Sequence, residues 1–212
     1  VSVAIIGGGI QGLACAYGLA VRGVGHVLVL DAGYWQGGAS GRNGTLIRAG
    51  FSSPEWTGLF AHSHRCWMDL SRQLGRNVMF SRRGYVTVAE TDETAAVFEA
   101  ALPVHRDCGV VSRRLDREGL GRVLPAIARE RVRDAIYFPD GGVAPHHAVM
   151  KGYLEACRGA GVTVRYHNAV TGIESAGGRA AAVLVGDTRI AADAILIAAG
   201  AHNIELAAMA GV

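Results

Sequence analysis

An unbroken apolar run, Val3-Ala4-Ile5-Ile6, opens the chain and predicts a strand covered on both faces. The cluster Gly7-Gly8-Gly9 stops it. Ile10, Leu13, Ala14, Tyr17 and Val21 then recur at helical spacing, which predicts a helix with one apolar face. Val27-Leu28-Val29-Leu30 reads as a second buried strand, ended by Asp31. A Gly-rich loop over 33–44 follows; it is too long for a simple connection, and such loops commonly carry function. A helix is expected over about 55–74, with Trp56, Leu59, Phe60, Trp67 and Leu70 facing inward. The pattern then predicts a strand at 85–89, a helix at 93–106, a short helix at 116–124 stopped by Pro125, and a strand at 135–138 closed by Pro139-Asp140-Gly141-Gly142. This middle block leaves the strand-helix-strand rhythm. The rhythm returns with a helix over 147–160 and a strand over 162–166. A hairpin follows, 170–174 with 181–185 around Gly177-Gly178, and then a buried strand, 194–198, that opens onto Ala199-Gly200-Ala201.

The first turn carries the chemistry. Gly7, Gly9 and Gly12 hold the glycine positions of a dinucleotide fingerprint, between a strand and a helix as that fingerprint requires. Gly7 permits the tight turn, Gly9 lets the backbone approach a pyrophosphate, and Gly12 lets the helix pack against the strand. The helix N–H groups face the phosphates. Asp31, at the end of the second strand, stands where a carboxylate accepts hydrogen bonds from an adenosine ribose and repels a 2′-phosphate. The fold class is therefore α/β with a Rossmann-like nucleotide-binding domain.

Composition narrows the remaining classes. Of 212 residues 50% are hydrophobic and 18% charged, which excludes a disordered chain and gives enough material for one large domain or two modest ones. The net charge of +3 is small and the arginines come in short pieces such as Arg82-Arg83 and Arg113-Arg114, so nucleic acid is not an expected partner. Cys15, Cys66, Cys108 and Cys157 are far apart, without metal-ligand spacing. This suits reduced thiols and a cytoplasmic location, and Cys15 and Cys157 are expected in the core. Neither a signal peptide nor a membrane span is expected. His62 and His64 are two apart and do not share a helix face, so no metal site is expected there. The Tyr85 ring is expected to fill core.

Taken in order, GGGIQGLA, the acid at 31, GGASGRNGTLIR, RRGYVTVA, YFPDGGVAPHH and AILIAAGAH resemble the flavin-dependent amine and amino-acid oxidases of the D-amino-acid oxidase superfamily, most of all the sarcosine oxidase β subunits. The resemblance implies a glutathione-reductase-type FAD-binding domain made of 1–78 and 141–212, with an α+β substrate-domain segment, 79–140, inserted in it. It also implies that the C-terminal half of the family fold lies outside this sequence. The cofactor implied is FAD, held by Gly7, Gly9, Gly12 and Asp31, by the loop of Ser40, Gly41, Arg42, Asn43 and Gly44, by the backbone at Val170 and by the turn at Gly200. Gly41 and Gly44 would give that loop the backbone freedom to bring Arg42 and Asn43 to phosphate. A second flavin, FMN, is implied near His146 and His147, with His147 as the favoured attachment residue.

In related oxidases an arginine at the place of Arg48 binds the substrate carboxylate. Arg48 also follows Thr45-Leu46-Ile47, an apolar stretch in which an unpaired guanidinium would be costly, so it needs an anion; a structural salt bridge is the alternative. The activity implied is oxidation of the C–N bond of a small amino acid or N-methyl amino acid, sarcosine-like, by hydride transfer to flavin. The partners implied are that substrate and the other subunits of a hetero-oligomeric oxidase. Two other readings stay open. One is a non-catalytic flavin-binding subunit. The other is a nicotinamide-dependent dehydrogenase, which would share Gly7–Gly12 and Asp31 but has no need of the 33–44 loop.

Overall fold

The computed structural model describes residues 2–212. In chain order the elements are β1 (Ser2–Ile6), α1 (Ile10–Ala20), β2 (His26–Leu30), β3 (Leu46–Ile47), α2 (Pro54–Gln73), β4 (Tyr85–Ala89), α3 (Asp92–Asp107), β5 (Arg113–Arg114) and α4 (Arg117–Val123). They continue with β6 (Asp134–Phe138), β7 (Gly142–Val143), α5 (His146–Gly159), β8 (Thr163–Arg165), β9 (Gly172–Ala176), β10 (Arg179–Val185), β11 (Thr188–Ala191), β12 (Ala194–Ile197) and α6 (Asn203–Met209). The chain forms two compact units: the residues up to Gly44 with Leu74–Asn77 and His146–Val212, and Thr45–Gln73 with Val78–Pro145. Residues 45–73, which sequence order groups with the nucleotide-binding part, cluster in the second unit because α2 packs on α3.

The first unit is built on a parallel sheet in the order β12-β1-β2-β8. Val3, Ala4, Ile5 and Ile6 are all buried, as a central strand covered on both faces requires. Alternation then sorts them. Val3 and Ile5 join Val27 and Val29 in a layer against Leu13 and Ala16 of α1 and Met150, Leu154 and Cys157 of α5. Ala4, Ile6 and Leu30 turn the other way, onto Val183, Ala192 and Leu206. That layer is an antiparallel meander, β9-β10-β11, with α6. Ile5 and Leu13 have no exposed surface, so truncating either to Ala should cost about 2–5 kcal/mol. Cys157 lies in the core as expected. Its thiol donates to the Leu13 carbonyl at 3.3 Å, and burial pushes its pKa up to about 11, which makes it inert. Cys15 does not: it is exposed on α1, on the side away from Leu13 and Ala16.

The second unit holds two antiparallel ladders, β4-β6-β5 and β3-β7. Tyr85 and Phe138 are direct cross-strand partners, and their rings stack at 4.5 Å. Tyr85 also accepts a hydrogen bond from Gly50 N–H at 3.1 Å, so its half-buried ring is structural, as expected. His105 of α3 is buried; its Nε2–H donates to the Phe51 carbonyl at 3.0 Å and Nδ1 accepts from the Ser112 hydroxyl at 3.1 Å. Burial holds its pKa below the ordinary imidazole value, so the ring is neutral in that network.

The inward face expected for α2 is only partly present. Trp56 and Leu59 are 56% and 57% exposed, whereas Thr57, Ala61 and Leu70 are buried. Side-chain size misled the reading. The buried positions include Thr57, whose hydroxyl donates to the Phe51 carbonyl at 2.9 Å, and Ala61, so small residues occupy part of the face expected to carry large ones.

Candidate functional site

Strand order fixes where a ligand belongs. From β1 the chain proceeds to β2 and β8 on one side, and β12 lies on the other side of β1. The carboxyl ends of β1 and β12 therefore form a topological switch point, the place where open parallel sheets bind ligands. Gly7-Gly8-Gly9 leaves β1 there and Ala199-Gly200-Ala201 leaves β12. Gly7 has φ +112°, and a Cβ on it would lie 2.3 Å from the Ala198 carbonyl oxygen, so glycine is required twice over. A Cβ on Gly12 would lie 1.9 Å from the Gly7 carbonyl oxygen, which explains how α1 starts so close to the turn.

Gly9 is the N-cap of α1 and, having no side chain, leaves its own end of the helix uncapped. Ser40 reaches in from the long loop, its Oγ accepting the Ile10 N–H at 2.9 Å. The first turn contains no acidic residue. A helix N-terminus with no acidic residue in its own first turn and a glycine at its N-cap suits a phosphate, and it fits the pyrophosphate of FAD.

Asp31 stands beside this cradle. Its Oδ2 accepts from Gly8 N–H at 2.7 Å and its Oδ1 from Gly33 N–H at 2.8 Å. The carboxylate thus braces the turn, and each oxygen keeps further lone-pair capacity for ribose hydroxyls. Asp31→Ala should weaken FAD roughly tenfold or more, from the loss of hydrogen bonds to a charged group worth about 1.5–3 kcal/mol. Titration of the apoprotein checks this. Equal affinity for variant and wild type would reduce Asp31 to a brace of the turn.

The loop residues are placed unequally. Asn43 Nδ2 donates to the Ser40 carbonyl at 2.8 Å and so holds its own loop. Arg42 is exposed and donates to the Tyr34 hydroxyl at 3.2 Å. The backbone freedom expected of Gly41 and Gly44 is not what the loop uses. The left-handed residues are Gln36 and Thr45, at φ 65° and 59°, and Gly41 serves instead to let Gln36 approach, since a Cβ there would lie 2.2 Å from the Gln36 carbonyl oxygen. Val170 lies just ahead of β9 and packs on the meander core. Gly200 takes φ +62° at the start of the 3-10 turn Gly200–His202. His146 and His147 begin α5 with rings 4.3 Å apart; His147 is exposed, and His146 Nδ1 is buried without a hydrogen-bond partner.

Arg48 belongs to the second unit and its setting differs from expectation. It is exposed, as is the neighbouring Leu46 at 47%, because β3 is a two-residue edge strand paired only to β7. Its guanidinium lies 4.8 Å from the centre of the Phe51 ring and makes no ion pair among the described residues. The cost of burial therefore does not call for an anion here; a free, planar cation resting on an aromatic ring is what stands at this position.

One neighbour of the turn escaped the sequence reading. Tyr166, at the end of β8, lies with Cε1 3.0 Å from where a Cβ on Gly8 would be, and its hydroxyl is 3.5 Å from the Gly8 carbonyl oxygen. Only strand order brings it there. Among the described residues no group of three His, Cys, Asp or Glu side chains could hold a metal ion, and no helix is long and apolar enough to cross a membrane.

Comparison with known proteins agrees with this geometry. The family model described as DAO, FAD dependent oxidoreductase, matches residues 2–212. The chain is 30% identical to the sarcosine oxidase subunit beta of Rhodobacter capsulatus over 214 aligned residues, covering 99% of this chain and 52% of that protein. Among solved structures, glycine oxidase from Geobacillus kaustophilus superposes with a TM-score of 0.89 at 25% identity, covering 100% of this chain and 58% of that one. L-Proline dehydrogenase from P. horikoshii, 24% identical, shares the fold with a TM-score of 0.91, over 100% of this chain and 56% of that one. The chain spans about half the length of the curated relatives it matches.

Proposed function

The chain belongs to the DAO family of FAD-dependent oxidoreductases, and we accordingly propose that it oxidises the C–N bond of a small amino acid or N-methyl amino acid of the sarcosine type. The observation that carries the cofactor part of this reading is the glycine-capped first turn of α1 at the switch point, with Asp31 beside it. Gly9 and the first-turn N–H groups would face the pyrophosphate, Asp31 the ribose, and Ser40, Arg42, Asn43, Val170 and Gly200 the remaining length of FAD. Family membership assigns a flavin, which sets aside the nicotinamide-dependent reading. FAD, when bound, would supply the acceptor for a hydride from a carbon bonded to the amine nitrogen, and water would then hydrolyse the oxidised C–N bond. Arg48 would hold the substrate carboxylate through its planar fork, fixing the orientation of the C–N bond to be oxidised. A substrate bound as the neutral amine needs no protein base for this step.

The relatives named as oxidase subunits support an assembly with further subunits; FMN attached at His147 is proposed on the resemblance of the 146–147 segment alone. The test is anaerobic mixing of the full-length flavoprotein with sarcosine, glycine and proline. Bleaching of the flavin absorbance by at least one is expected; a flavin untouched by any small amino acid would make the chain a non-catalytic flavin-binding subunit. Acid denaturation of the same preparation should release FAD and leave FMN on the polypeptide, whereas His147→Ala should leave none. Release of all flavin from the wild type would remove FMN from the proposal.

A further inference from the structure

We propose that Tyr166 is a positioning residue of the nucleotide site: its hydroxyl holds the Gly8–Gly9 peptide so that the Gly9 N–H faces the pyrophosphate. This rests on the FAD reading above. The peptide unit is planar and trans, so the carbonyl of one residue and the N–H of the next point in opposite directions. Two such planes make up the turn. In the Gly7–Gly8 peptide, the N–H is held by Asp31 Oδ2 at 2.7 Å, and the carbonyl points the other way, toward Gly12, as the 1.9 Å from a Cβ there shows. In the Gly8–Gly9 peptide, the carbonyl oxygen is 3.5 Å from the Tyr166 hydroxyl, so the Gly9 N–H is aimed away from Tyr166 and makes no hydrogen bond to a described residue. Asp31 and Tyr166 therefore grip successive peptides from the β2 and β8 side and leave one donor free. Glycine at position 8 removes the restraint that a side chain would give, and the Tyr166 ring fills the place where a Cβ would stand, 3.0 Å from it. The hydroxyl is dependable as a donor: burial first, and the Asp31 charge second, push its pKa up to about 12, so it keeps its proton throughout the neutral range.

The test compares Tyr166→Phe with wild type in full-length apoprotein, by calorimetric titration with FAD, ADP and adenosine. Phe keeps the ring against Gly8 and removes the hydroxyl alone. FAD and ADP, which carry the pyrophosphate, should each bind roughly three- to tenfold more weakly, while adenosine affinity and the apoprotein melting temperature stay at wild-type values. The phosphorus resonances of bound ADP should also shift between the two proteins. Equal losses for ADP and adenosine, or none for either, would overturn the assignment, the first by making Tyr166 a wall of the adenosine pocket. A lower melting temperature with unchanged ADP affinity would overturn it too, leaving a fold role only. Wild-type apoprotein that bound no FAD would overturn the cofactor reading itself, an outcome distinct from each of these.

Discussion

Gly9→Val should give a folded protein almost empty of flavin. Gly9 lies at φ −76° and ψ −175°, extended backbone that a β-branched residue adopts without strain, so the substitution does not break the turn. A Cβ there meets only Ser40, with Oγ at 3.0 Å and Cβ at 3.9 Å. The two methyl groups of valine must go further. They displace Ser40 from the Ile10 N–H, or cover the first turn of α1 on the side where phosphate has to approach; either removes part of the cradle. Flavin content should fall by about tenfold or more while the circular dichroism spectrum and melting temperature of the apoprotein change little. Gly9→Ala, which adds the Cβ alone, should fall between. Valine at Gly12 would behave differently, because its Cβ would stand 1.9 Å from a backbone oxygen that cannot retreat, and that variant should fail to fold. The pair separates a glycine kept for a ligand from one kept for packing. Unchanged flavin stoichiometry in folded Gly9→Val would move the pyrophosphate off this turn.

What the sequence discloses about such a site depends on how local the information is. The turn, the strand before it and the helix after it are contiguous, and a run such as Val3-Ala4-Ile5-Ile6 carries its burial in its own composition. Strand β4 was expected at 85–89 and is found at Tyr85–Ala89 for the same reason. Short, polar or edge elements carry no period: β5 is Arg113–Arg114, and its pairing with β6 is set by the partner strand. Helical periodicity marks where the helices run but not which face each one buries. Cys15 and Cys157 both sit in helical patterns, yet one is exposed and the other buried, since which stripe of α1 meets the sheet is settled by Leu13 and Ala16.

The tertiary partners of the turn were the least legible. Ser40 caps Ile10 from 30 residues away and Tyr166 meets Gly8 from 158, and no local spacing encodes either. The resemblance to flavin oxidases supplied Ser40 as a cofactor residue but not its contact with the helix, and it supplied nothing for Tyr166. Arg48 shows the converse. Hydropathy placed it in an apolar stretch, whereas pairing leaves its side chain exposed, because a two-residue ladder buries little.

Arg48→Lys should weaken carboxylate-bearing substrates and leave flavin content intact. The guanidinium over the Phe51 ring is already oriented and makes no ion pair among the described residues, so its fork is available to a carboxylate. A stacked pair at an exposed position contributes only about 0.5–1 kcal/mol, too little by itself to give the arginine a purely structural role. Lysine keeps the charge but replaces two parallel hydrogen bonds by a mobile ammonium. Loss of one charge-assisted bond of about 1.5–3 kcal/mol corresponds to an affinity lower by roughly ten- to a hundredfold. The measurement is anaerobic flavin reduction by an N-methyl amino acid and by the same amine without its carboxylate. For the amino acid, kred/Kd should fall through Kd; for the plain amine, already weak, it should be unchanged. Arg48→Lys lowering kred/Kd equally for both would show that the arginine does not recognise the carboxylate, and the clamp would then have to be sought on another residue.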